Sequence, residues 1–158
     1  MVRILVLVAL LAVASCSKPV LVDQEFPIPE KGWTYADSLE WNFEVTDTNT
    51  IYNLLLTIDH QMAYGAQNCY VRIHTIFPAG ERLSQVVSLD LQNTTGRWLG
   101  KCSGDNCSVT IPIQENAFFN QKGKHAIRLE QYMRRDSLIG LNSFRLKIED
   151  TGERRGKT

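Results

Sequence analysis

The strongest constraint on the fold is an alternation of apolar and polar residues with a period of two. Residues 38–46 show it most clearly, since their apolar members share one parity: Leu39, Trp41, Phe43 and Val45. This is the period of a β-strand with one buried face, because successive side chains point to opposite faces of a sheet. Turn-forming residues follow at 47–50, where the strand is expected to end.

The same alternation recurs along the chain between Gly, Pro, Asn and Asp residues. The predicted strand segments are 38–46, 51–59, 69–77, 83–91, 109–113, 125–133 and 144–148. Residues 51–59 are apolar on both parities, which predicts a strand in the middle of a sheet. Residues 69–77 and 83–91 flank a Pro-Ala-Gly turn and are predicted to form a hairpin. Pro112 indicates a sheet edge or a bulge in its strand.

These patterns favour an all-β chain, because no apolar pattern with the helical period extends over a useful length. We predict a single antiparallel β-sandwich, jelly-roll-like, with seven or eight strands. The predicted organisation is a cleaved signal peptide at 1–15, a lipid anchor with an extended tether and first strand at 16–30, the sandwich at 31–150 and a flexible basic tail at 151–158.

The first fifteen residues have the order of a secretory signal peptide. Arg3 precedes an apolar run at 4–13 that is too short to span a membrane as a mature helix. Val13-Ala14-Ser15-Cys16 resembles the lipobox of bacterial lipoproteins, whose cysteine receives diacylglycerol and becomes the new N-terminus. The alternative is an ordinary signal peptide with a chance cysteine. We expect Cys16 to carry acyl chains such as palmitate and to attach the protein to a membrane.

The residues after the lipobox bear on which membrane this is. Position 17 is Ser, so the aspartate typical of inner-membrane retention is absent, and residues 18–20 lack the acidic cluster of surface-exported lipoproteins. An outer-membrane lipoprotein facing the periplasm is therefore expected. The chain has 17 basic and 17 acidic residues. This balance argues against a nucleic-acid partner, which normally requires a basic excess. The sequence indicates no oligomeric state.

The cysteines fit an oxidising compartment. Cys102 and Cys107 bracket Ser-Gly-Asp-Asn, so a disulfide would close a tight loop whose ends a hairpin already brings together. Cys69 shares a strand face with Val71 and Ile73, which predicts a buried, inert thiol.

Motifs for catalysis are not found. The sequence has no nucleophile elbow, zinc-protease motif, phosphate-binding loop or Cys-x-x-Cys pair. Its three histidines are isolated at positions 60, 74 and 125, so no metal site is expected. Glu130 and Glu149 could be drawn as a glycosidase pair, but almost any β-domain offers two such carboxylates. We predict a protein that is not an enzyme and has no cofactor.

Two stretches carry residue types that are enriched at binding surfaces. Trp98 and Leu99 lie between glycines in a predicted loop, and residues 130–136 end a strand with aromatic, thioether and arginine side chains. The candidate partner-binding residues are Trp98, Leu99, Tyr132, Met133, Arg134 and Asp136. In the alternative interpretation, Trp98 and Met133 plug the end of the core, and Arg134 pairs with Asp136.

The order of several short motifs resembles one known family. These are Gly32-Trp33, Trp41-Asn42-Phe43, Tyr52-Asn53-Leu54, Phe77-Pro78-Ala79-Gly80, Gly96-Arg97-Trp98-Leu99-Gly100, Glu130-Gln131-Tyr132-Met133-Arg134 and Leu138-Ile139-Gly140-Leu141. Together with the lipobox they are similar to the GldH gliding-motility lipoproteins of the Bacteroidetes. The resemblance implies an envelope lipoprotein whose partners belong to the gliding and type IX secretion apparatus, and it brings no catalytic residue. The Cys102 to Cys107 loop is not expected as a hallmark of the family.

A different class of function is a carbohydrate-binding lipoprotein of a polysaccharide-utilisation system. Exposed Trp33, Trp98 or Tyr132 could stack on sugar rings, but such a platform requires two or three coplanar exposed aromatic rings. An envelope hydrolase is the third class, and it requires polar groups that converge in a pocket.

The lipobox makes a direct prediction. Cys16→Ala should move the protein from the membrane fraction to the soluble fraction, because the anchor loses its attachment atom. Fractionation of cells followed by immunoblotting measures this, with Ser17→Ala as the matched control that keeps the cysteine. Membrane retention of Cys16→Ala would contradict lipid anchoring at this residue.

Overall fold

The predicted alternation forms two antiparallel sheets that face each other. In the computed structural model, which describes residues 18–156, the secondary structure consists of eleven strands. The strands are β1 (Val20–Pro27), β2 (Trp33–Thr34), β3 (Leu39–Val45), β4 (Thr50–Gln61), β5 (Asn68–Ile76), β6 (Arg82–Asp90), β7 (Lys101–Ser103), β8 (Asn106–Ala117), β9 (Gly123–Gln131), β10 (Ser137–Leu138) and β11 (Leu141–Arg154). Within the same residues, no helix is long and apolar enough to cross a membrane.

The strand order is that of a jelly roll. One sheet has the order β1-β11-β4-β8-β7, and the other has the order β3-β9-β5-β6. The eight long strands pair as one folded-over hairpin, in which β5 pairs with β6, β4 with β8, β3 with β9 and β1 with β11. The short strands β2 and β10 form a separate pair. The predicted jelly-roll-like sandwich is confirmed, with eight principal strands and three short ones in the described part of the chain.

The core fills the space between the sheets. β4 lies between β11 and β8, as its apolar sequence predicts, and it alternates along its length between buried and half-buried residues. Leu54, Leu56 and Ile58 point into the core. The alternate residues of β4, such as Leu55 and Thr57, point to the outer face of the sheet, where neighbouring side chains cover them only in part.

Trp41 closes one side of the sandwich. Its ring is fully buried, and its indole Nε1–H donates to the carbonyl oxygen of Gln24 at 2.9 Å. The ring of Phe26 meets it edge to face, with 5.2 Å between the centroids. Because Trp41 belongs to β3 and the other two residues belong to β1, this contact joins the two sheets.

The boundaries of the domain differ from those predicted. A first strand was predicted within the tether, and residues 20–27 do form a strand, β1, but it pairs with β11 along its length and so belongs to the sandwich. The sandwich therefore begins before residue 31. At the other end β11 continues to Arg154, where the guanidinium donates to Asp150 at 2.9 Å, so residues 151–154 are strand rather than tail. The predicted signal peptide and Cys16 lie outside the described residues.

The pairing of Cys102 with Cys107 is present as a disulfide. The two residues face each other across the β7–β8 hairpin, whose two-residue loop has Gly104 at its first position with a φ of 58°. A positive φ at that position is the geometry of a type II′ turn, for which glycine is preferred. The bond therefore closes a loop that the turn already forms.

This arrangement predicts that the disulfide is not required for folding. Replacing Cys102→Ser together with Cys107→Ala should lower the free energy of unfolding by about 2 kcal/mol, because the loop is short and its closure entropy is small. Denaturant titration of the full chain in detergent measures the loss, and wild type under reducing conditions is the control. A variant that aggregates or lacks a cooperative transition would contradict this view.

Candidate partner-binding surface

Three loops meet at one end of the sandwich, at residues 62–67, 91–100 and 132–140. The amides of Leu91 and Gln92 both donate to the carbonyl oxygen of Gln67 at 2.9 Å. On the other side, the amide of Gln61 donates to the carbonyl oxygen of Gly140 at 2.7 Å. The structure thus brings the two predicted stretches, around residues 98 and 132, to the same end of the molecule, where they flank the β4–β5 loop. We call this the loop end.

Trp98 and Leu99 are half-buried and pack against the core. The ring of Trp98 lies 4.7 Å from that of His60, centroid to centroid, and His60 is fully buried. The amide of Leu99 donates to the carbonyl oxygen of Leu91 at 2.8 Å, which folds the loop back on the end of β6. These two side chains therefore close the core.

The shape of the 91–100 loop follows from its sequence. The side-chain oxygen of Asn93 accepts hydrogen bonds from the amides of Thr95 at 3.0 Å and Arg97 at 2.9 Å, as asparagine commonly does in turns. At Gly100, with a φ of 76°, an added Cβ would lie only 2.1 Å from the carbonyl oxygen of Ser108. Only glycine allows this close approach to β8.

Met133 is also held in place rather than free. Its sulfur lies 3.2 Å from the amide nitrogen of Tyr70, and its own amide donates to the side chain of Gln131 at 2.9 Å. Its carbonyl accepts a hydrogen bond from the hydroxyl of Tyr35. The interpretation in which Trp98 and Met133 plug the end of the core thus agrees with the structure.

The same interpretation also paired Arg134 with Asp136, and this part of it disagrees with the structure. Both are exposed, and they form no ion pair with each other, although both lie in the described part of the chain. Their charges therefore face solvent at the loop end.

Beside the loop end lies an exposed cluster of tyrosines with an arginine. Tyr132 is 47% exposed, and the guanidinium carbon of Arg72 lies 4.4 Å from its ring centroid, which is a cation–π contact. Tyr70 is adjacent, since the amide of Tyr132 donates to its carbonyl oxygen at 2.8 Å. Tyr35 is exposed next to Met133. We call Tyr35, Tyr70, Arg72 and Tyr132 the tyrosine patch.

Three members of the tyrosine patch were missed by the sequence analysis. Tyr70 and Arg72 have the opposite parity to the buried Cys69, Val71 and Ile73, so the alternation of β5 contained the signal that they point outward. Tyr35 lies in a loop with no periodic pattern, and its position next to Met133 depends on the tertiary fold.

A polar network crosses the outer face of the β3-β9-β5-β6 sheet next to the patch. The buried His74 places Nδ1 2.6 Å from the hydroxyl of Ser84 and Nε2 3.0 Å from a carboxylate oxygen of Glu130. The contact with His74 is the main reason why the pKa of Glu130 lies below its usual range. The three residues come from β6, β5 and β9. The network therefore links three neighbouring strands.

The other residues considered for chemistry are not assembled into a site. Glu130 is on the outer face of one sheet, whereas Glu149 is on the outer face of the other, 2.8 Å from Lys147. The two carboxylates are therefore not a glycosidase pair. The predicted burial of Cys69 is confirmed, and this burial raises the pKa of its thiol to about 12. Among residues 18–156, no three His, Cys, Asp or Glu side chains are grouped so as to hold a metal ion.

Comparison with known sequences defines the family. The profile described as GldH lipoprotein matches residues 20–148, from the start of β1 into β11. This chain belongs to the GldH lipoprotein family. The resemblance noted in the motifs is thereby confirmed. Among curated proteins, the gliding motility lipoprotein GldH homolog of Christiangramia forsetii is 29% identical over 145 residues, which cover 86% of this chain and 87% of that relative.

Two solved structures have a low similarity to this GldH family member, both in sequence identity and in TM-score. A family 35 carbohydrate binding module from Clostridium thermocellum has a TM-score of 0.29 at 14% identity and covers 79% of this chain and 97% of that one. The dimeric latent PorU from Porphyromonas gingivalis has a TM-score of 0.29 at 7% identity and covers 86% of this chain and 14% of that one. Neither score supports an argument about function.

The contrast between Trp98 and Tyr132 can be tested by truncation. Trp98→Ala should lower the free energy of unfolding by about 2 to 4 kcal/mol, because it removes a ring that packs against the core. Tyr132→Ala should cost less than about 1 kcal/mol, since only an exposed cation–π contact is lost. Denaturant titration of both full-chain variants measures the difference. Equal losses would contradict the assignment of Trp98 to the core and of Tyr132 to the surface.

Proposed function

We propose that this protein is a lipid-anchored component of the bacterial gliding machinery that acts by binding other proteins and not by catalysis. Cys16 would hold it in the outer membrane with the sandwich facing the periplasm, and its partners would be components of the motility and type IX secretion apparatus. The observation that carries the proposal is the family match over residues 20–148, which covers seven of the eight principal strands and the first part of β11. The name of the Christiangramia forsetii relative, gliding motility lipoprotein GldH homolog, supports the motility role.

The proposed contact surface is the tyrosine patch together with the exposed Arg134 and Asp136. Tyrosine and arginine are enriched among the residues that dominate binding energy, because they offer large contact area with few rotatable bonds or several hydrogen-bond donors. The patch is also preorganised: Arg72 rests on Tyr132, and Tyr35 is hydrogen-bonded to the backbone of Met133. Of the residues proposed from sequence, Trp98, Leu99 and Met133 would support this surface from below.

The carbohydrate-binding alternative loses the feature on which it was based. Trp33 and Trp41 are fully buried, and Trp98 packs against His60. One face of the exposed Tyr132 ring is covered by Arg72. A row of coplanar aromatic rings open to a sugar is therefore not formed by these residues.

Gene deletion with complementation tests the proposal. We expect deletion to abolish colony spreading and single-cell movement in the source bacterium, and the wild-type gene to restore both. Cys16→Ala should fail to restore them. Tyr132→Ala combined with Arg134→Ala should also fail while the protein stays at wild-type abundance in the membrane.

The matched control is Glu115→Ala, which changes an exposed residue on β8 in the other sheet. It should restore full movement. Unchanged movement after deletion would contradict the motility role. Full rescue by the Tyr132 and Arg134 double variant would leave the motility role intact but would contradict the proposed contact surface.

A further inference from the structure

Strand β6 has an open edge. It pairs with β5 on one side, and in the described part of the chain no strand pairs with its other side. Nearly all of its residues are exposed, including two large apolar ones, Leu83 at 63% and Val86 at 46%. An exposed strand edge is a template for pairing with another strand, because its outward N–H and C=O groups lack partners in the protein.

The ladder with β5 shows which backbone groups face this edge. Just before β6 begins, the amide of Phe77 donates to the carbonyl oxygen of Glu81 at 2.9 Å. Just after β6 ends, the amide of Leu91 donates to the carbonyl oxygen of Gln67 at 2.9 Å. The register between these points has no shift. Hydrogen-bonded pairs alternate in an antiparallel ladder, so the odd-numbered residues of β6 bond to β5. The even-numbered ones present their N–H and C=O groups to the open edge: Arg82, Ser84, Val86, Ser88 and Asp90.

The other sheet edges carry features that oppose pairing. β8 has Pro112 and register shifts against β4 on the part that extends beyond β7. β1 ends in Pro27 and carries Asp23 and Glu25. β3 packs beside β1 and carries two glutamates. β6 contains no proline, glycine, lysine or bulge, so it lacks the usual protection of an exposed edge.

The sequence of β6 is complementary to itself in the antiparallel direction. When Val86 is placed opposite Val86 of a second copy, Ser84 faces Ser88 and Leu83 faces Leu89. The same register places Arg82 opposite Asp90 at both ends. Arg82 forms no ion pair within the described residues, so its charge is free for this contact. Opposite charges on facing residues stabilise a strand pair, and like charges destabilise it.

We propose that the partner of this edge is a second copy of the same chain. The two β6 strands pair antiparallel about a two-fold axis at Val86, and the five even-numbered residues of each copy make about ten backbone hydrogen bonds, two for each facing pair. The two four-stranded sheets become one continuous sheet. Because the axis is perpendicular to that sheet, the outer faces of both copies point the same way, and the two tyrosine patches lie on one surface.

Cysteine cross-linking of the full chain in membranes tests the pairing. Val86→Cys places two thiols on facing residues about 5.5 Å apart at Cα, within the range that a disulfide bridges. A mild oxidant should therefore convert most of this variant to a dimer on a non-reducing gel. Tyr70→Cys is the matched control, because Tyr70 is 45% exposed, against 46% for Val86, and lies on the same face but belongs to β5. Its two copies are at least about 14 Å apart and should not cross-link.

Charge reversal tests the register. Arg82→Asp places like charges opposite each other at both ends and should weaken dimerisation about tenfold. Adding Asp90→Arg to it restores opposite charges and should restore dimerisation. Sedimentation or mass photometry of the detergent-solubilised full chain measures both, and a cooperative transition in denaturant titration shows that the variants are folded.

Three results would overturn the proposal. The first is equal cross-linking of Val86→Cys and Tyr70→Cys. The second is a Val86→Cys product with the mass of this chain joined to a different protein, which would assign the edge to a foreign strand. The third is a double charge reversal that dimerises no better than Arg82→Asp alone, because the register would then be wrong.

Discussion

The nested pairing of strands from the two halves of the chain is the constraint on which the rest of this structure depends. β4 is the middle strand of its five-stranded sheet and is hydrogen-bonded to β11 on one side and to β8 on the other. Because β5 and β6 form the tip of the same folded-over hairpin, their pairing determines where every later strand lies. The buried side chains of Leu54, Leu56 and Ile58 stabilise this arrangement only in that register, since a slip of one residue would turn them outward.

The same topology explains why the two predicted binding stretches are neighbours. The loops at 91–100 and 132–140 follow β6 and β9, which are separated in the sheet only by β5. Both loops therefore emerge at the loop end, on either side of the β4–β5 connection. Trp98 and Met133 cover the core at this end, and Tyr132, Arg134 and Asp136 face solvent. The structure thus divides one set of candidate residues into side chains that pack against the core and side chains that face solvent.

The two faces of the sandwich also differ in what they offer a partner. The outer face of the β3-β9-β5-β6 sheet carries the tyrosine patch, the His74 network and the open edge of β6, whereas the other outer face carries ion pairs such as Asp23 with Arg145. In the proposed dimer, the edge that is left open by one chain is covered by the other. This pairing would enlarge the tyrosine surface without a new structural element, because a two-fold axis repeats it on the same side.

The sequence by itself determined the all-β class, most strand positions, the Cys102 to Cys107 pairing and the family, because these depend on a period of two, on turn residues and on local spacing. It indicated a first strand before residue 30 but assigned that strand to the tether, since the pairing of residues 20–27 with β11 involves residues more than a hundred positions away. The tertiary structure alone decided that Trp33 is buried, that Tyr35 joins Tyr132, and that Glu130 contacts His74 and lies far from Glu149. The physical reason is that alternation specifies which side of a strand faces inward, whereas only the pairing of distant strands specifies which side chains meet.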